Sequence, residues 1–186
     1  MTKVELRQLL TPQLRALAGS SPARHTASQA ICRAIEQQPC WPRARRVCAF
    51  LPLPGEPRIT PLWEGKHERT FCFPRIRNGT IDLILLEDPE LLRRATWRLD
   101  GPEFDAAAVV PPGRVDLFLV PGVAFTSDGR RLGRGAGYYD RLLANRAPQS
   151  AALGVCFALQ LVEDLPFEPH DQNVDAVVTE RSADPR

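Results

Sequence analysis

Apolar residues near the start of the chain recur with helical spacing. From Lys3 to Leu17, the residues Val4, Leu6, Leu9, Leu10, Leu14 and Leu17 follow a 3.6-residue repeat, which predicts an amphipathic helix. Pro12 lies inside this stretch and has no N–H to donate, so a kink is expected, or a restart of the helix with Thr11 as N-cap. A second helix is predicted from Ala23 to Gln37, between Ser20-Ser21-Pro22 and Pro39. The chain thus opens on a helical pair.

Beyond Pro39 the rhythm changes to short apolar runs punctuated by Pro and Gly. Strands are predicted at Val47 to Leu51, Thr70 to Phe73, Ile81 to Leu86, Val115 to Val120, Leu153 to Phe157 and Ala176 to Thr179. Helical segments fall between several of them, notably Tyr138 to Asn145. Such alternation favours a layered α/β domain over an all-β one. The stretch from Glu87 to Gly113 has poor periodicity and is broken by Pro102, Pro111 and Pro112. With 186 residues, no internal repeat and no linker, one domain spanning 1–186 is expected.

Composition narrows the function classes. A formal net charge of +2 is nearly balanced, unlike the concentrated basic excess of a general polyanion binder, so no nucleic-acid partner is expected. Lysine is confined to Lys3 and Lys66, the other basic residues being arginine. Cys32, Cys40, Cys48, Cys72 and Cys156 form no C-x-x-C pair and lack zinc-type His spacing, so free buried thiols in a reducing compartment are expected. The opening residues MTKVELRQLL show no apolar signal core, and no stretch nears the ~20 apolar residues of a membrane span. A cytoplasmic protein without a membrane partner is the expectation, and a monomer rather than an oligomer.

The densest chemistry lies in VDLFLVPGVAFTSDGRRLGRGAGYYDRLLA, from Val115 to Ala144. A buried strand leads into a loop with Gly129, Gly133, Gly135 and Gly137 beside Arg130, Arg131 and Arg134, followed by a helix from Tyr138. Glycines admit positive φ and bring backbone N–H groups close to a ligand, and guanidinium forks suit phosphate oxygens. The loop reads as a phosphate cradle, although it is neither a P-loop nor G-x-G-x-x-G. A glycine-rich hairpin turn with solvated arginines reads the same residues equally well.

Asp140 follows the cradle at once, where a carboxylate would repel phosphate unless a cation such as Mg²⁺ stood between them. The alternative is a first-turn aspartate favoured by the helix dipole. His170, Asp171 and Asp175 form a second cluster in PHDQNVDAVVTE that could complete a metal site built mainly elsewhere, or simply form a turn. Glu56 sits in the Pro-rich loop of AFLPLPGEPRITPLW, at a strand end where ligand contacts concentrate, although a lone loop glutamate is usually solvated.

The run LVPGVAFTSDGRRLGRGAGYYDRLLA resembles the signature of 5-formyltetrahydrofolate cyclo-ligases, the methenyltetrahydrofolate synthetases. Weaker matching features occur in order around it: Lys3 and Arg7, Leu51 with Glu56 and Thr60, FPR at Phe73 to Arg75, and HDQNVDAVVTE. The resemblance implies a three-layer α/β/α sandwich with a mixed, mostly parallel sheet. It implies ATP-driven conversion of 5-formyltetrahydrofolate, polyglutamylated or not, to 5,10-methenyltetrahydrofolate. By the same resemblance ATP is held by Lys3, Arg7, Arg131, Leu132, Gly133, Arg134, Gly135, Ala136, Gly137, Tyr138 and Tyr139, and Mg²⁺ by Asp140 and Asp171. The folate is met by Leu51, Glu56 and the segment from Arg134 to Tyr138, and Arg131, Arg134 and Tyr139 are the catalytic candidates.

This chain departs from the family pattern in places. Ala136 stands where relatives often carry Gly or Lys, and Arg134 where an aromatic or His is frequent, so Arg134 is expected to supply compensating charge. Pro57 follows Glu56 in place of a small apolar residue, and LDGPEFDAA lacks a clear Glu-Pro, which leaves the folate side less well matched. Alternative readings are an ATP-dependent enzyme acting on another formylated substrate, and a non-catalytic nucleotide- or RNA-binding paralogue.

Overall fold

The computed structural model describes residues 1–18, 21–64, 68–86, 99 and 101–183; Lys66 and residues 87–98 and 100 of the poorly periodic stretch lie outside them. Two helices, α1 (Lys3–Ala18) and α2 (Ser21–Glu36), form the expected opening. Pro12 neither ends nor restarts α1, and Thr11 caps nothing. A proline inside a helix costs about 3 kcal/mol. Leu6, Leu10 and Leu14, one row at i, i+4 and i+8, are buried against Val123, Ala124, Leu132 and Leu165, and each such leucine contributes roughly 1.5–3 kcal/mol. The packing outweighs the lost bond. Val4 and Leu9, expected on the same apolar face, are exposed, because only this narrower row meets the protein.

Among the described residues the main sheet has seven strands, in the order β4-β3-β2-β1-β5-β8-β9. They are β1 (Arg46–Cys48), β2 (Thr70–Arg77), β3 (Thr80–Leu85), β4 (Val109–Val110), β5 (Leu117–Val120), β8 (Ala151–Val155) and β9 (Ala176–Val178). A separate hairpin joins β6 (Ala124–Phe125) to β7 (Arg131–Leu132). β1, β2, β5, β8 and β9 are parallel, and β3 alone makes antiparallel pairings, with β2 and β4. The sheet is therefore mixed and mostly parallel.

Side chains of β5 alternate between two cores. Leu117 and Leu119 join Ile31, Ala34 and Ile35 of α2 on one face, whereas Phe118 and Val120 meet Leu142 and Leu143 on the other. The latter belong to a helix at Tyr138–Ala144, labelled α4 after the single turn α3 at Pro61–Glu64. Helix, sheet and helix make three layers. All five cysteines are free, with Cys40 partly exposed and the others buried, and desolvation pushes the Cys32 thiol up to about 11.

Two strand boundaries moved for reasons visible in the backbone. β1 ends at Cys48 instead of Leu51, with one further ladder bond from the Ala49 N–H to the Cys72 carbonyl. Pro52 and Pro54 cannot donate to a ladder, and the chain turns away. β2 runs past Phe73 through Pro74, whose nitrogen lies on the β1 side of the strand beyond the end of β1, where a donor is not needed. β4, β6 and β7, two residues each, are too short to show any periodicity.

From central β1 the chain first builds outward through β2, β3 and β4, then returns to place β5, β8 and β9 on its other side. A crevice opens at such a switch point, outside the carboxyl ends of the flanking strands. The loops leaving β1 and β5 carry Glu56 and Gly122 respectively, and both border the cavity described below.

The β6–β7 turn supplies a test. Gly129 has φ +93°, and a Cβ there would drive into the Val174 carbonyl, while its own carbonyl accepts the Val174 N–H at 2.9 Å. Gly129→Ala should lower stability by roughly 2 kcal/mol or more in urea unfolding, with an unchanged m-value. An unchanged midpoint would show that the turn relaxes at no cost.

Candidate functional site

A cavity of about 610 Å³ lies at the switch point. Lys3, Arg7, Leu51, Glu56, the run from Arg131 to Asp140, and Asp171 all border it. Helix α1 brings two cations to its rim, because Lys3 and Arg7, spaced i and i+4, share one helix face. The burial of Leu6, Leu10 and Leu14 fixes that helix against the β6–β7 hairpin, and so fixes where the cations stand.

The hairpin reading of the glycine-rich segment holds in part. Gly129 does turn a hairpin, and Arg130 beside it is structural, pairing with Asp128 and Asp164 and donating to the Leu165 carbonyl at 2.9 Å. Arg131 is not solvated: its side chain is 3% exposed. It donates from Nη2 to Asp140 Oδ1 at 2.8 Å and lies 5.7 Å over the Tyr139 ring, and its buried Nε has no hydrogen-bond partner among the described residues. Gly133 makes this fold possible, since a Cβ there would stand 2.7 Å from Arg131 Nη1.

The segment from Gly133 to Gly137 then crosses the cavity without regular structure. Gly135 and Gly137 take positive φ, +105° and +66°, and Gly137 precedes the first residue of α4. Arg7 donates from Nε to the Gly133 carbonyl at 2.8 Å. Arg141 holds the far end, donating to the Ala136 carbonyl at 3.2 Å and stacking 5.0 Å from the Tyr138 ring centroid. Desolvation, then the nearby Cys48 and Glu56, push the Tyr139 phenol well above its ordinary range, so at neutral pH it is a hydrogen-bond donor and not a base.

Acidic groups answer three of the four cations, Lys3, Arg131 and Arg134, whereas Arg7 meets a carbonyl. Lys3 Nζ reaches Asp171 Oδ2 at 2.6 Å and Glu168 Oε2 at 3.3 Å. Arg134 Nη2 reaches Glu56 Oε1 at 3.0 Å. Asp140 also accepts the Gln172 N–H at 3.2 Å through the oxygen that faces Arg131. Of the C-terminal cluster only His170 and Asp171 border the cavity; Asp175 is structural, bound by both Nη atoms of Arg146 and by the Ala152 N–H. Thr60 and Arg75 do not border it either, and the buried Arg75 is paired with the partly exposed Asp82.

The apolar wall was not foreseen. Phe50, Leu53, Pro74, Ile76, Ile81 and Pro121 face the cavity from the β1 loop, β2, β3 and the end of β5. Nothing in their types distinguishes them from core residues; only the strand order places them together. Glu168, which joins His170 and Asp171 within 4.8 Å, was also missed, although its spacing of three from Asp171 was a usable signal.

A largely apolar crevice with a charged rim at a sheet switch point is the form of an α/β protein that binds small ligands. A family model for the 5-formyltetrahydrofolate cyclo-ligase family matches residues 1–180. The 5-formyltetrahydrofolate cyclo-ligase of Escherichia coli (strain K12) is 32% identical over 179 residues, which cover 93% of each chain. The mouse protein of the same name is 28% identical over 190 residues, 95% of this chain and 93% of its own. The solution structure of the Aquifex aeolicus 5,10-methenyltetrahydrofolate synthetase matches with a TM-score of 0.82 at 32% identity, covering 97% of this chain and 91% of that one. This chain belongs to the 5-formyltetrahydrofolate cyclo-ligase family.

The Lys3–Asp171 pair ties the first turn of α1 to the C-terminal loop. Burial opposes charge on both groups, but hydrogen bonds and Coulomb attraction prevail, so Lys3 is raised and Asp171 lowered from their ordinary values. Asp171 therefore contributes stability that is full above about pH 4 and lost as pH falls through its depressed value; Lys3 contributes below about pH 10 and loses it as pH rises through its raised value. The difference in urea midpoint between the wild type and Lys3→Met should be constant from about pH 5 to pH 9 and shrink on further acidification. A difference that persists unchanged once Asp171 is protonated would remove the ion pair as its cause.

Proposed function

We propose that this chain is an ATP- and Mg²⁺-dependent enzyme that converts 5-formyltetrahydrofolate to 5,10-methenyltetrahydrofolate, releasing ADP and phosphate, as a cytoplasmic monomer. The observation that carries the reading is the meeting, in one cavity, of the cations Lys3, Arg7, Arg131 and Arg134 with the carboxylates Asp140 and Asp171, beside an apolar wall. The volume of about 610 Å³ suits a small-molecule site.

A formamide carbon at N5 is a poor electrophile. In the proposed reaction the formyl oxygen attacks the γ-phosphorus and ADP leaves; N10 then adds to the activated carbon, gives up its proton, and phosphate departs. Such a sequence needs alignment and charge neutralisation more than a protein nucleophile. Arg131, locked by Asp140 and Tyr139, offers a preorganised guanidinium edge at fixed position, and the neutral Tyr139 phenol offers a donor. Arg7 and the backbone around Gly135 border the cavity where a phosphate chain would be held, and Leu51 with its apolar neighbours would meet a flat ring system.

The carboxylates fit Mg²⁺, which takes hard oxygen ligands and keeps several waters. Asp140 and Asp171 border the same cavity, and Asp140 Oδ2 has no hydrogen-bond partner among the described residues. Mg²⁺ there would neutralise phosphate charge.

Mixing the protein with Mg²⁺-ATP and 5-formyltetrahydrofolate should give the ultraviolet absorbance of the methenyl product, and chelation of Mg²⁺ should abolish it. Folded protein that forms no product would overturn the proposal; ATP hydrolysis with a different formyl compound would redirect it. Arg131→Ala should lower kcat by about 10²-fold. Lys3→Ala should raise KM for ATP more than KM for the folate, and equal effects would take α1 out of the nucleotide site.

A further inference from the structure

One ion pair on the cavity wall, between Glu56 of the loop after β1 and Arg134 of the glycine-rich segment, joins very unequal partners. Glu56 is fixed. Its side chain is 5% exposed, Oε2 accepts the Leu53 N–H at 2.9 Å, and its carbonyl accepts Arg24 Nη2 at 2.8 Å. The preceding Gly55, at φ +89°, lies so close to α1 that a Cβ would stand 2.6 Å from the Leu14 carbonyl oxygen, so the carboxylate cannot withdraw.

Arg134 is the opposite case. Its side chain is 43% exposed, it holds Glu56 through one hydrogen bond, and it stands between Gly133 and Gly135 on backbone without regular structure. Arg131, three residues earlier, is enclosed and committed to Asp140. Of these two cations on the segment, only Arg134 is free to change partners.

A buried carboxylate cannot be left unpaired at low cost, so Arg134 stays on Glu56 until something else donates to it. A ring bearing adjacent N–H donors, such as an aminopyrimidine edge, matches the forked acceptor that Oε1 and Oε2 present. Once such a ring takes Glu56, the displaced guanidinium remains on the glycine segment, where the remaining unpaired anions are ligand phosphates.

We propose that Arg134 is a positioning residue that couples the two substrates: it pairs with Glu56 in the free protein and is transferred to the nucleotide phosphates when the folate ring occupies Glu56. This rests on the function proposed above. The transfer makes strong phosphate binding conditional on the acceptor being present, which suppresses hydrolysis of ATP by water. By linkage, each ligand tightens the other by the same factor.

Titration calorimetry with Mg²⁺ and a non-hydrolysable ATP analogue, with and without 5-formyltetrahydrofolate, reads this coupling without turnover. In the wild type the folate should tighten the analogue about fivefold or more. In Arg134→Ala the coupling should fall to about onefold, and Glu56→Gln should tighten the analogue about fivefold with no folate present. Arg134→Gln serves if the alanine variant does not fold, and the wild-type comparison needs no variant. Equal analogue affinity with and without folate in the wild type, or full coupling retained without Arg134, would overturn the proposal. Coupling in a wild type that forms no methenyl product would support the transfer while the proposed reaction fell, so the two fail separately.

Discussion

Arg131 stands at the centre of the cavity's architecture. A guanidinium with a nearly inaccessible side chain is tolerable only if its charge is answered, and Asp140 at 2.8 Å answers it while Tyr139 covers one face. The same contact orders three pieces of chain: β7, which carries Arg131; the start of α4, which carries Asp140; and the C-terminal loop, through the Gln172 N–H on the same carboxylate oxygen. Gly133 leaves the folded-back arginine its place, since a Cβ there would stand 2.7 Å from Arg131 Nη1 and shift it. The glycine run therefore has two sources: some of its glycines make room for the protein itself, and others, at positive φ, shape the open backbone facing the cavity.

Much of the fold was legible because burial imposes simple periods. The β5 run Leu117-Phe118-Leu119-Val120 is apolar at every position since helices cover both faces, and it was recognisable as a central strand on that ground alone. The rows on α1 were less legible: six apolar residues were read as one face, but Val4 and Leu9 point elsewhere. Strand ends were least legible, because they depend on where a neighbour stops. Pro74 looks like a strand breaker until β1 is known to end opposite Cys72.

The site divides the same way. Arg131, Asp140 and their glycines are close in sequence, so their chemistry showed as a motif. Glu56 looked like an ordinary loop glutamate, and only the topology, which returns the chain to the far side of β1, brings it opposite Arg134. The apolar wall carries no local signature at all. The family resemblance supplied an expectation that spacing could not, namely that scattered charges such as Lys3 and Asp171 belong to one place, and the fold pairs these two.

Lys3 and Asp171 are separated by 168 positions yet share a hydrogen bond. Lys3 is made long before its acidic counterpart, and the surface on which α1 docks, Val123, Ala124, Leu132 and Leu165, also lies far downstream. No fragment that ends before Asp171 can complete the rim of the cavity. Ligand capture is thus deferred until the segment carrying Asp171 has been made, and the growing chain before that point lacks a complete rim.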